Sequence, residues 1–475
     1  MLELPLAQGL LENVSQIVGI VLGTQDSTPL EFWIGVREGE CVQLDDMVVV
    51  STETPDGQPV KFYGIVDIVR KRYEGVSFDT DGFRAAEGTL PVEVSYAAHV
   101  QVTRIDPEAF IPPHPGAPAM VVRGAEFQQA LYFDQMKEKL AVGMTRTGQA
   151  VYANLEFLDG RRGAHASISG ISGVATKTSY ATFLLYSLFH SSALGLEATN
   201  SKALIFNVKG EDLLYLDRPN SRLTDANRAE YGRLELPAGP FQSVAFYAPT
   251  RRGSGVPIPD TGGRQEGVSP YVWTLREFAR ERMLRFAFAE ADDARAQISF
   301  VITRVERKLE ELAQEGSPDD PGFEGMKSFQ DLVDLLDGDT LKLWCDSAAP
   351  GTLDAFRRRL HAAAHHMGHL VRGDQAAVGK QIGWDGHQVT VVDIHRLRAT
   401  AQMFVVGVLL KRMMEEKEDR GERLPLMFVV LDELNKYAPR QGWSPIQEVI
   451  LDIAERGRSL GVSLRGAQQT ASEVE

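Results

Sequence analysis

From about residue 120 onward one pattern recurs and limits the fold more than any other feature: short apolar runs that end in a polar corner, with helical segments between them. "KALIFNVKGEDLLYLD" (202–217), "FQSVAFYA" (241–248), "HQVTVVDIHRL" (387–397), "LPLMFVVLDELNKYAPR" (424–440) and "GVSLRGAQQT" (461–470) are the strands. "ATAQMFVVGVLLKRMMEEKE" (399–418) and "SPIQEVILDIAERGRSL" (444–460) have the three- and four-residue apolar spacing of helices. A strand apolar on both faces has to be covered on both, and helical crossovers deliver strands in parallel. The expected class is therefore α/β, a parallel-type sheet between helical layers.

The first hundred residues read differently. "QIVGIVLG", "LEFWIGV", "DMVVVST", "VKFYGIVDIVRKRY" and "PVEVSYAAHVQVTRI" are rich in β-branched and aromatic residues and are separated by turn formers such as "PDGQP". They predict a small β-barrel or sandwich over 1–110. The stretch "PPHPGAP" (112–118) stiffens the chain and marks a linker. Between about 270 and 372, "TLREFARERMLRFAFAEA" and "ISFVITRVERKLEELAQE" predict a helical insertion. The α/β core is then split into 120–269 and 373–475, a division consistent with the two to four domains expected of 475 residues.

Charge and composition narrow the function. Residues 1–110 hold 7 Lys/Arg against 18 Asp/Glu, which places most of the net charge of −15 in the β-rich region. Such a region is a poor general binder of phosphate backbones, so contact with nucleic acid is expected from the remainder. No apolar run reaches membrane-spanning length, and the N-terminus lacks the basic start of a secretory signal, so a soluble cytoplasmic protein with no membrane partner is expected. Cys41 and Cys345, the two cysteines, suggest neither a disulfide framework nor a cysteine metal site.

The chemistry concentrates in "HASISGISGVATKTSYATFLLYSL" (165–188). A phosphate loop places backbone N–H groups at a helix N-terminus, with a Lys to neutralise phosphate and a Ser or Thr to hold Mg²⁺. Here Gly170, Gly173, Val174, Ala175, Thr176, Lys177, Thr178 and Ser179 are the candidate nucleotide-binding residues, with Lys177 for the β- and γ-phosphates and Thr178 for the metal. The usual glycine spacing is not kept. Thr176 stands where a glycine normally precedes the lysine, and Gly170 lies one place too far upstream. On this segment alone, a Gly/Ser-rich turn with an incidental lysine remains an alternative.

"MFVVLDEL" supplies the second half. An apolar strand ending in Asp432 and Glu433 offers a carboxylate for Mg²⁺ and a second one to orient or deprotonate the attacking water. "ALIFNVKGED" adds Lys209, Glu211 and Asp212 at the same sheet edge, Glu211 as a candidate second carboxylate near the γ-phosphate. Asp393 ends another strand, where a helix N-cap role is an equal alternative. Arg456 and Arg458 near a helix end either favour its negative terminus or reach a neighbouring subunit's phosphate, and Gln468 and Gln469 follow. His361, His365, His366 and His369 share helical spacing, but no acidic residue occupies the H-E-x-x-H position and no third ligand is identifiable, so a solvated or packed helix face is expected.

On these residues the chain resembles the HerA family of hexameric DNA-translocating ATPases, relatives of FtsK, over nearly its whole length. The N-terminal strands look like the family's HAS barrel. "HASISGISGVATKTSY" stands at the phosphate loop, "ALIFNVKGEDLLYLD" at the strand ending in Asp-Pro-His-Gly-Glu-Tyr, "VVLDELNKYAPR" at the Walker B strand and "AERGRSLGVSLRGAQQTASEV" at the helix end and sensor. Asn207 replaces the usual Asp, and Arg465 stands where the family is apolar. The resemblance implies a RecA-like P-loop core and a homohexamer with ATP and Mg²⁺ between subunits. It further implies duplex DNA in the central channel and a partner nuclease such as NurA, or an effector in defence against phage. It makes Glu433, Lys177 and Glu211 catalytic, places Mg²⁺ at Thr178 and Asp432, and gives Arg458 the arginine-finger place and Gln469 the sensor place. Family chains continue past the position of Glu475, which leaves a truncated chain, or an assembly completed by a partner, as an expectation.

Overall fold

The computed structural model describes residues 16–76, 78–170, 176–288, 296–314, 323, 325–373, 381–440 and 444–468. Its contacts divide into two units, one running to Lys139 with Met144–Tyr152, the other formed by Leu140–Gly143 and the chain from Ala153.

In the first unit, β1 (Ile17–Val21), β2 (Glu31–Val36), β3 (Met47–Glu53), β4 (Pro59–Tyr73), β5 (Val94–Asp106) and β6 (Pro118–Val121) close an antiparallel barrel in the order β1-β2-β5-β4-β3-β6. The sequence left barrel and sandwich open, and β6 decides between them by pairing with both β1 and β3. That strand lies beyond the expected limit at residue 110 and begins on the last proline of the proline-rich stretch. Phe32, Ile34, Val48, Val50, Phe62, Val66 and Val100 fill the interior. The opposite face of β3 is also buried, because Met47, Val49 and Tyr63 pack with Phe127 and Phe133 around helix α2 (Ala125–Ala130). This double burial explains the unbroken apolar run "MVVV". Helix α1 (Asp79–Ala86) joins β4 to β5. Strands β7 (Lys139–Met144) and β8 (Ala150–Asn154) lie where the chain passes from one unit to the other.

The second unit is built on β9 (Ala166–Ser169), β10 (Lys202–Asn207), β11 (Val244–Pro249), β12 (Val268–Tyr271), β15 (Val389–Asp393), β16 (Met427–Asp432) and β17 (Val462–Gln468). The two strands missing from that series, β13 (Trp273–Thr274) and β14 (Val371–Arg372), pair with each other. All seven sheet strands are parallel, in the order β12-β11-β15-β10-β16-β17-β9. Alternate residues of each strand face opposite layers. Ala203, Ile205, Phe428 and Val430 meet Ala181, Leu185 and Phe189 of α3 (Thr176–His190). Leu204, Phe206, Val429 and Leu431 face the other way.

That second layer contains the expected helical insertion. Following α4 (Asp225–Arg233), the helices α5 (Leu275–Arg280), α6 (Ala296–Gln314), α7 (Phe329–Asp337), α8 (Asp339–Trp344) and α9 (Pro350–Met367) occupy the stretch before β14. Phe278, Val305, Phe329 and Phe356 share one core with Phe404 and Val405 of α10 (Ala399–Arg420), so this segment is packed into the sheet's own layer. Burial on many sides of α10, between the sheet and the inserted helices, accounts for its apolar character. After β16 come α11 (Leu434–Tyr437) and α12 (Pro445–Leu460). No helix among the described residues is long and apolar enough to cross a membrane.

Candidate nucleotide site

Because β9, β10, β15, β16 and β17 run in parallel, their last residues, Ser169, Asn207, Asp393, Asp432 and Gln468, emerge at one edge. This is the edge where ligands of open α/β sheets bind. One strand, β17, separates β9 from β16, and the helix that follows β9 begins at Thr176 and bridges the gap. In its first turn the Thr178 hydroxyl donates to Asp432 Oδ2 at 2.8 Å. The Lys177 ammonium donates to the Gly170 carbonyl at 3.0 Å. Gly173, Val174 and Ala175 lie outside the described residues, as does Gln469; Thr176 is described only as the first residue of the helix. Ser179 is exposed in the first helical turn.

Asp432 is almost fully buried at 3% exposure, and its Oδ1 accepts the backbone N–H of Glu433 at 2.8 Å. Glu433 itself is in the left-handed region, φ 58°, where a non-glycine residue is uncommon and its presence at a strand end points to function. Packing holds it there. Leu434 sits on Gly466 of β17, where any Cβ would come within 2.4 Å of the leucine side chain. The Lys209 ammonium lies 2.9 Å from Glu433 Oε1 and 3.6 Å from Asp432 Oδ2. Burial works against its charge, yet the two carboxylates outweigh burial and hold it more basic than an ordinary lysine. Burial, assisted by Glu433 and Asp432, also keeps the phenol of Tyr437 protonated; its hydroxyl has no partner among the described residues.

Glu211 has other partners. Its carboxylate accepts the backbone N–H groups of Gly262 and Gly263, the latter at 2.6 Å, with His395 and Arg396 about it at 3.9 and 4.0 Å. Partial burial opposes its charge, and the two amides, then His395 and Arg396, hold it below the usual carboxylate range all the same. Asp212 opens a short 3-10 turn beyond it. Asp393 is buried between Asn207 Nδ2 at 2.8 Å and His395 Nδ1 at 2.7 Å; burial raises its pKa against both.

Gln468 donates to the Ser167 hydroxyl at 2.8 Å and keeps its buried Oε1 without a described partner. Arg458 stands at the other edge of the sheet, in the last turn of α12 just before β17 begins. It donates to the carbonyls of Gly160 and Arg161, the latter at 2.8 Å. Arg456 is engaged by Asp452 and Glu418. Arg465 is fully buried and donates to the carbonyls of Ala164 and Leu158 and to the Ser463 hydroxyl, a role for a cation on a strand expected to be apolar. Burial pushes its pKa down to about 10, which leaves it charged at neutral pH.

Of the histidines, His361 pairs with Asp337 at 2.6 Å, and among the described residues no three His, Cys, Asp or Glu side chains converge as a metal site. Mg²⁺ does not require such a group, since it is bound through one or two protein oxygens plus phosphate and water. The Thr178 hydroxyl and the Asp432 carboxylate are hard oxygen donors already in contact, beside a helix N-terminus and a lysine. They fit Mg²⁺. The sequence signals for Thr178 and Asp432 were their motifs. Lys209 and Tyr437 carry no motif that ties them to Glu433.

No family model matches the chain, and no curated protein matches it. Among solved structures, it is similar to the bacterial conjugative coupling protein TrwBdeltaN70 in an unbound form, at 13% identity over 74% of this chain and 70% of that one, TM-score 0.42. It is similar to the plasmid coupling protein TrwB in complex with ADP and Mg²⁺, at 12% identity over 74% and 72%, TM-score 0.43. A third is VirB4 of Thermoanaerobacter pseudethanolicus, at 15% identity over 70% and 77%, TM-score 0.39.

Proposed function

We propose that the chain is an ATP-hydrolysing motor of the HerA kind. In this reading it forms a homohexamer, binds ATP with Mg²⁺ between subunits and moves duplex DNA through a central channel. It works for a partner nuclease of the NurA type or for a defence effector. One observation carries the reading: a threonine directly after the loop lysine donates to a buried strand-end aspartate, with a glutamate next to it.

Lys177 would exchange the Gly170 carbonyl for the β- and γ-phosphates, and Thr178 with Asp432 would hold the metal. Bound Mg²⁺ supplies charge neutralisation across the phosphates. Glu433 orients water and accepts its proton. Arg458, at the opposite edge of its own sheet, acts on a neighbouring subunit's nucleotide, and Gln469 senses that nucleotide. Glu211, which the resemblance makes catalytic, is held by the backbone amides of Gly262 and Gly263 next to the corner that carries Lys209, and it acts on the site from there.

ATP turnover with and without duplex DNA, in the wild type and in Glu433→Gln, tests this. Turnover is expected to rise with DNA and to fall by roughly 100-fold or more in the variant, with ATP binding kept. Equal rates in both proteins reject Glu433 as the base. A second reading, a nucleotide-binding ring scaffold with little hydrolysis, is favoured by Arg458 being engaged by its own chain. Tight binding with negligible turnover, even with DNA and partner present, supports it.

A further inference from the structure

We infer that Lys209 is a positioning residue for Glu433, and that the clamp of Glu211 on Gly262 and Gly263 sets the place of Lys209. The inference rests on the hydrolytic reading above and concerns how that site is held.

Glu433 needs external support. Its left-handed backbone is strained for a non-glycine residue, and its side chain leaves the strand end beside a second carboxylate. Among the described residues the ion pair at 2.9 Å with Lys209 is the only one Glu433 makes. The same ammonium lies 3.6 Å from Asp432, so it offsets the repulsion between the two carboxylates while drawing Glu433 to one side.

Lys209 is itself half-exposed, and an isolated surface ion pair would position little. The corner that carries it is fixed at both ends. Asn207 Nδ2 donates to the Gly210 carbonyl at 2.7 Å and to buried Asp393 at 2.8 Å, and two residues after Lys209 the Glu211 carboxylate is held by two consecutive backbone amides. A five-residue corner pinned on both sides aims its middle side chain, and here it aims Lys209 at Glu433. Glu211 thus serves the reaction at a distance, through Lys209, and loop 260–263 is mechanically joined to Glu433.

The test uses the full chain in five forms: wild type, Lys209→Met, Lys209→Arg, Glu211→Ala and Glu433→Gln, with the doubles Lys209→Met/Glu211→Ala and Lys209→Met/Glu433→Gln. Without nucleotide or metal, Lys209→Met is expected to lower Tm by about 2 °C, and to do so no longer in the Glu433→Gln background. With ATP and Mg²⁺, Lys209→Met lowers kcat by roughly tenfold or more with little change in KM, because misplacement of a reacting group acts on the chemical step. Lys209→Arg restores most of kcat. Glu211→Ala lowers kcat likewise and adds nothing to Lys209→Met.

Wild-type kcat in Lys209→Met overturns the inference, as does a KM that rises in step with the loss, which would make Lys209 a direct nucleotide ligand. Additive Tm losses or an additive Glu211→Ala effect overturn it too. A wild type that neither binds nor turns over ATP fails at the earlier step and removes the hydrolytic reading together with this role.

Discussion

At the scale of single residues, the site depends on short-range pairings that a one-dimensional motif only half specifies. The Thr178–Asp432 bond was foreseeable, because a loop threonine and a strand-end aspartate are each recognisable by neighbours in sequence. The Lys209–Glu433 pair was not, because it joins two strand ends whose adjacency comes from strand order. The histidine spacing shows the reverse: His361 pairs with Asp337, the His365 and His366 rings meet edge to face, and His369 stands beyond the end of the helix. His369 is pushed down to about 4, first by burial and then by Arg252 and Arg372, with Asp260 opposing. The unfolded chain therefore binds more protons than the folded one between about pH 6.5 and 4. Stability rises with pH across that window and is lost as pH falls through it, by up to about 3 kcal/mol. His369→Gln is expected to flatten the acid side of a Tm-against-pH curve there; an unchanged slope refutes the assignment.

At the scale of elements, the turn that ends α12 determines where β17 enters the sheet. Gly461 caps the helix at φ 71°, and a Cβ on it would stand 2.0 Å from the Arg423 carbonyl oxygen. A backbone oxygen cannot step aside as a side chain can, so Gly461→Ala combines left-handed strain with overpacking. The expected loss is about 2–4 kcal/mol in chemical denaturation. Shifts in β17 reach both neighbours, β16 with Asp432 and β9, so in the proposed reading ATP binding is expected to weaken in the same variant. A fully stable Gly461→Ala protein would contradict this. The same α12 turn places Arg458 away from Asp432, a consequence of a helix running back antiparallel to its strand that needs no side-chain detail.

At the scale of the whole molecule, the proposed finger makes sense only between copies. Mass measurement in solution with ATP is expected to give a hexamer. Arg458→Ala and Glu433→Gln should each be inactive alone, while mixed rings recover part of the turnover, because some interfaces then join an intact Glu433 to an intact Arg458. Mixing without recovery would falsify trans action. In the proposed reading, the acidic balance of residues 1–110 suits docking of a protein partner better than gripping DNA.

The sequence by itself determined the classes of structure: β-rich first region, parallel α/β core, helices between, and a lysine–threonine turn with a later Asp-Glu strand end. Periodicity and local chemistry suffice for these, since they record which face of each element must be buried. Tertiary structure alone decided that β6 closes the barrel, that the inserted helices share the sheet's core, that Glu211 is clamped by glycine amides and that Lys209 meets Glu433. Each of these depends on which distant segments become neighbours, and that is settled by how all the buried faces are satisfied together.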